Sequence, residues 1–158
     1  LTENNLLQYA DLEKKVEDVH SSYDRTGKEL KGVEARLREV QPLIKNISNY
    51  QRLKPVYDAF QKAKDKSGFK AKHEAELVIF EAARSTLLAM QGNEKLPSLK
   101  TLQVEQQRLL EEQQRLYDER AKLKKEARMI DTMKANVDIF LKPSVVQEPE
   151  QIRDNQRE

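Results

Sequence analysis

The sequence predicts an all-α chain: a long antiparallel coiled-coil hairpin with a small two-helix head inserted at its far end. The first observation behind this is an apolar repeat of seven residues. Tyr9, Val16, Tyr23, Leu30, Leu37 and Ile44 occupy one seam site, and Leu12, Val19, Thr26, Val33, Val40 and Ile47 the other. A second such repeat runs through Leu102, Leu109, Leu116, Leu123, Ile130 and Val137, over a stretch equal in length to the first. Proline and glycine are sparse, 5 and 4 residues, and Pro55, Gly68, Gly92 and Pro97 punctuate the segment between the two stretches.

The first helix is expected from about Asn5 to about Arg52. A seven-residue period over that distance describes a seam about 57 Å long, too extended to wrap a globular core, so its partner is another helix. Pro55 lacks an amide hydrogen and pushes Lys54 away from helical geometry, which predicts a break there. Pro55 also suits a first helical position. Val56, Tyr57, Phe60 and Ala63 then mark one face of a short second helix that ends near Ser67-Gly68. Phe69 opens a third, carrying Leu77, Val78, Phe80, Ala83, Leu87, Leu88 and Met90, and Gly92 ends it. These two short helices form the head.

Leu96-Pro97-Ser98 reads as a helix entrance, with the Ser98 hydroxyl placed to accept from first-turn amides. The fourth helix runs to about Leu141. Its alternate seam sites, Leu99, Gln106, Gln113, Arg120, Ala127 and Lys134, are mostly polar or small. An antiparallel hairpin of equal stripes sets Tyr9 against Val137, Ile47 against Leu99 and Val33 near Gln113. It also sets Arg120 against Thr26, the one polar seam residue of the first helix. In domain terms, residues 1–142 form the helical arm, with its head at about 55–92. Residues 143–158 have no apolar period and read as a polar tail or linker.

Among 158 residues, 37 % are hydrophobic and 35 % charged, too little apolar material for a thick core. No apolar stretch approaches the roughly 20 residues that span a bilayer, and no signal segment opens the chain, so no membrane insertion is expected. The absence of cysteine removes disulfides and thiolate ligands and fits a cytoplasmic setting. A first residue of Leu suggests a piece of a longer protein. Net charge is +2, from 29 basic and 27 acidic residues, so contact with nucleic acid has to be local rather than driven by the whole surface.

The two histidines, His20 and His73, fall in different helices and form no pair at ligand spacing, so neither a metal nor a cofactor is expected. There is no phosphate-cradling glycine loop and no nucleophile beside a base, and the chain is read as non-enzymatic. Tyr9 and Tyr23 fall on the seam and Tyr57 on an apolar face, where rings pack. Tyr50 and Tyr117 are less constrained, but a tyrosine nucleophile needs assistance the sequence does not offer.

Two basic clusters remain. Arg120, Lys122, Lys124, Lys125 and Arg128 on the fourth helix are interleaved with Asp118, Glu119 and Glu126, which can pair with them locally. Lys62, Lys64, Lys66, Lys70 and Lys72 lie around the head beside Phe60 and Phe69, with Asp65 as their one compensating acid. A solvated surface is the bland reading of both. The head lysines are the sharper nucleic-acid candidate, because lysines at a turn can track phosphates.

Four stretches carry a further signal: ISNYQRLKPVYDAFQKAKDK at 47–66, HEAELVIFEAAR at 73–84, KLPSLKTLQVE at 95–105 and IDTMKANVDIFL at 130–141. Together they resemble the C-terminal helical region of relaxases of the mobilisation-nuclease family, from conjugative and mobilisable elements of Gram-positive bacteria. The resemblance covers about Asn5 to Leu141. Such relaxases nick one strand at a transfer origin with an N-terminal domain bearing a catalytic tyrosine and a metal-holding histidine cluster. Neither motif occurs here, so no catalytic residue carries over. The resemblance implies an accessory role within a larger nicking protein. The first reading built on it is a non-catalytic module that projects its head toward transfer-origin DNA, a relaxosome accessory protein or a coupling protein, as a monomer or weak homodimer. The alternative is a structural coiled-coil domain for protein interaction or homodimerisation, without DNA contact.

Overall fold

The computed structural model describes residues 3–141, and all regular structure among them is helical. In chain order the helices are α1 (Glu3–Lys62), α2 (Lys66–Lys72), α3 (Glu74–Gln91) and α4 (Leu99–Leu141). The chain is an all-α antiparallel hairpin of α1 and α4 with a small head. The predicted tail, residues 143–158, lies outside the described residues. Two compact units divide the described residues, one of residues 24–121 and one that joins residues 3–23 of α1 to residues 122–141 of α4.

In the larger unit, Val33, Leu37, Val40 and Ile47 of α1 and Leu102, Leu109 and Leu116 of α4 form one buried cluster, joined by Leu87 of α3. Antiparallel register is fixed by side chains that cross the seam. Gln113 Nε2 donates to Glu34 Oε1 at 3.4 Å, one residue from the predicted partner Val33. The Arg36 guanidinium grips Glu105 through two bonds, at 2.6 and 3.1 Å. The expected polar layer is present: Thr26 is buried, and the Arg120 guanidinium rests against Gly27, where a Cβ would collide with it. No buried side-chain nitrogen or oxygen among the described residues lacks a partner.

In the smaller unit, Val19 and Ile130 are the fully buried seam residues, while Tyr9, Leu12, Val16, Leu123, Ala127 and Val137 are half-buried. Tyr9 donates its hydroxyl to Asp138 at 2.5 Å, and His20 Nε2 lies 3.0 Å from Asp131 Oδ1. These pairs set the α1 and α4 segments of this unit antiparallel to each other.

The predicted break before Pro55 does not occur. α1 runs through both Pro42 and Pro55 to Lys62, so the expected second helix is the end of the first. A proline inside a helix costs roughly 3 kcal/mol, mainly through a lost bond to the carbonyl four residues earlier. Here those carbonyls belong to Arg38 and Gln51, both on exposed residues open to water. The apolar face also continues past the proline. Leu53 is buried, and Tyr50 and Tyr57 stack on Phe80 of α3 at centroid distances of 5.1 and 4.5 Å. Burying several large side chains at about 1.5–3 kcal/mol each outweighs one proline.

A second correction follows downstream. Ser67, Gly68 and Phe69, expected to close one helix and open the next, all lie within α2. Asp65 caps it, accepting from the Gly68 amide at 3.0 Å. Further on, Gly92 ends α3 at φ 54°, a conformation that suits glycine, and Ser98 Oγ accepts from the Thr101 amide at 3.2 Å to start α4 as expected.

Candidate nucleic-acid interface

The head takes its shape from the end of α1 and from α2 and α3. α3 runs back along α1, with Phe80 against Tyr50 and Tyr57 and with Arg84 Nη1 donating to the Tyr57 hydroxyl at 3.3 Å. Leu77, Phe80, Ala83 and Leu87 form its buried face. α2 caps the open end, where Phe69 meets Phe60 at 6.1 Å and His73 at 4.4 Å.

The five predicted lysines all surround this end piece. Lys62 is the last residue of α1, Lys64 lies in the connection, Lys66 opens α2, and Lys70 and Lys72 stand in its last turn. All five are exposed, and no carboxylate among the described residues forms an ion pair with any of them. Asp65, the nearest acid in sequence, is committed to its cap. Lys62, Lys70 and Lys72 also sit well at helix C-termini, where a cation meets the negative end of the helix dipole.

One feature was not foreseen from the sequence. Tyr57, Phe60, Leu77 and Val78 line a groove of about 370 Å³, with Lys70, Glu74 and Glu81 on its rim. Val78 is 61 % exposed although it sits in an apolar run. Its neighbours Leu77 and Phe80 claim the buried face, and that conflict in helical phase is the signal that points to the groove.

The second basic cluster does not hold together. Arg120 leaves it to lie half-buried against Gly27, and Lys122, Lys124, Lys125 and Arg128 are exposed in the smaller unit. His20 and His73 are bound separately, to Asp131 and to Glu76, the latter at 3.4 Å. Among the described residues no three His, Cys, Asp or Glu side chains gather as a metal site. The phenols of Tyr9 and Tyr117 donate to Asp138 and Glu34, and these bonds to carboxylates raise both phenols above the ordinary tyrosine pKa. An attacking phenolate needs the reverse.

The smaller unit carries an apolar groove of about 530 Å³, lined by Tyr9, Leu12, Met133, Val137, Phe140 and Leu141 among others. Phe140 is 93 % exposed there. No described helix is long and apolar enough to cross a membrane. Compared with protein-family models, curated proteins and solved structures, the chain matches none.

Proposed function

We propose that this chain is a non-catalytic positioning module of a DNA-nicking relaxase, acting in the cytoplasm, in which the hairpin presents the head to transfer-origin DNA alongside a relaxosome accessory or coupling protein. The observation that carries this is the set of five exposed lysines, Lys62, Lys64, Lys66, Lys70 and Lys72, gathered on one short end piece and in no ion pair among the described residues. What sets these lysines apart is their crowding: five fall within residues 62–72, and Asp65, the one acid in that stretch, is engaged in capping α2. The sequence resemblance supplies the relaxase context, and the role is to hold DNA in place rather than to cut it.

Titration of DNA against the protein across a salt series tests the reading. Each phosphate neutralised contributes a slope of about −0.9 in log affinity against log salt. Replacing Lys64, Lys66 and Lys70 by Glu weakens binding to origin and unrelated DNA alike and flattens that slope by roughly 2–3, because phosphate contacts carry little sequence information. Absence of salt-sensitive binding by the unmodified chain at micromolar concentration rejects it. Supercoiled plasmid bearing a transfer origin stays intact with magnesium or manganese present, and site-specific nicking by this chain alone overturns the non-catalytic assignment.

A second reading, a structural domain that pairs with another copy of itself and ignores DNA, is favoured by the apolar surface of the smaller unit. Leu6, Leu7, Ile139 and Phe140 are all more than half exposed there. Patches of that kind commonly mark protein contacts. Light-scattering mass across a concentration series separates a dimer from a monomer.

A further inference from the structure

We propose that the groove between α1 and α3 in the head receives an unpaired base of single-stranded nucleic acid, with Lys70 and its neighbouring lysines holding the flanking phosphates. This rests on the nucleic-acid reading above and adds to it the form of the ligand. Charge identifies the class of occupant, since five lysines meet a single capping carboxylate on this end piece and Lys70 stands on the rim of the groove itself. The groove wall identifies the state of the strand.

Phe60 is half-buried and lines the groove, and its ring is tilted against Phe69 at 6.1 Å and 36° rather than stacked on it, so that contact leaves Phe60 available to a planar group in the groove. Leu77 and Val78 provide an apolar surface beside it. At about 370 Å³ the groove falls at the small end of ligand sites, suited to a compact planar group. Duplex DNA hides its base faces within the stack and offers only edges and phosphates. A ring against an apolar wall therefore gains from an unstacked base and nothing from a duplex.

The two acids on the rim add a direction and a preference. Glu74 and Glu81 repel phosphates, which confines the backbone to the Lys70 side of the groove. Carboxylates only accept hydrogen bonds, so they favour cytosine, adenine and guanine, whose exocyclic amines offer two N–H donors, over thymine, which offers one at N3. Glu81 lies 3.9 Å from Arg84 Nη1 and is about half exposed, so it keeps oxygen lone pairs to offer.

The test uses the full chain and fluorescence anisotropy with labelled oligonucleotides of roughly 12 nucleotides, within the ~4–16 that one such site covers. Oligo-dC binds more tightly than oligo-dT, and both bind more tightly than a duplex of equal length. Phe60→Leu weakens single-strand affinity about 5- to 150-fold, the range that one base–aromatic stack commands, and leaves duplex affinity unchanged. Val78→Met extends a non-aromatic side chain over the groove from an exposed position and weakens single-strand binding in the same sense, which covers the event that Phe60→Leu disturbs the fold. Equal affinity for single strand and duplex, or duplex and single strand weakened alike by both variants, overturns the groove assignment while leaving lysine-mediated DNA binding intact. Loss of all salt-sensitive binding removes both.

Discussion

The seam of residues 24–121 and the seam of the smaller unit follow one heptad pattern, yet they are buried to different depths. In the larger unit Val40, Leu102 and Leu116 are fully enclosed and Val33, Leu37, Ile47 and Leu109 nearly so. In the smaller unit Val19 and Ile130 reach that state, and the other seam side chains stay half open. A two-helix seam can bury its centre but leaves its flanks wet, and the larger unit covers those flanks in two ways. Leu87 of α3 joins the cluster at one end. Along the rest, Arg36–Glu105 and the Glu34–Gln113–Tyr117 group roof the apolar layers with the hydrocarbon stems of polar side chains. Heptad content therefore sets which face is buried, and what lies over that face sets how completely.

The largest effect that checks this contrast is a cavity. Leu116→Ala and Leu102→Ala, at fully enclosed sites, lower stability by about 2–5 kcal/mol. Leu12→Ala, at a half-buried site of the smaller unit, costs roughly 1 kcal/mol. Urea unfolding followed by helical circular dichroism measures all three, and equal costs at the two kinds of site break the comparison.

Next in size is the cross-seam ion pair. Arg36 holds the Glu105 carboxyl below the ordinary range through its hydrogen bonds and charge. A carboxylate with a depressed folded-state pKa contributes stability above the unfolded value, near 4.5, and loses it as pH falls through the lower folded value. The larger unit thus weakens on acidification below about pH 4.5, and Glu105→Gln removes that part of the dependence. Arg36 is nearly half exposed, so solvent screening limits the coupling in a double-mutant cycle to about 0.5–1 kcal/mol. Tyr9 in the smaller unit has the opposite sign. Its hydrogen bond to Asp138 raises the phenol, so its contribution is complete below about pH 10 and is lost as pH climbs toward the folded-state value. Hydrogen exchange on the smaller unit in alkaline buffer reads this, and Tyr9→Phe abolishes it.

These contrasts also show which parts of the molecule were legible in its residues. The two stripes, the antiparallel register, the Ser98 cap and the Gly92 stop all follow from spacing and side-chain chemistry local to a few residues. The fate of Pro55 does not, because its cost is visible locally while the compensation comes from Phe80, more than twenty residues on, stacking against both Tyr50 and Tyr57. Ser67-Gly68 looks like a boundary because both residue types favour turns, whereas Asp65 caps a short helix that opens at Lys66 and runs through them. The five lysines were evident as a charge run. The groove beside them was not, since its walls come from α1 and α3 and meet only in the folded head.

The smallest expected effect concerns two glycines of α1 that differ only in what faces them. Glycine in a helix interior costs about 0.5–1 kcal/mol relative to alanine, through the extra freedom of the unfolded chain. At Gly32 nothing lies within 4 Å of an added methyl, so Gly32→Ala recovers that amount. At Gly27 the methyl meets the Arg120 guanidinium, one residue from the buried Thr26. Arg120 has to give way, and the polar contacts of this layer are disturbed as it does. Gly27→Ala therefore yields a smaller gain than Gly32→Ala, or a net loss, in the same urea experiment. Pairing it with Arg120→Lys, whose slimmer head leaves room for the methyl, restores part of the difference. If the two glycine variants gain equally, the guanidinium shifts without cost, and the polar layer does not hold the register where the fully buried part of the seam begins.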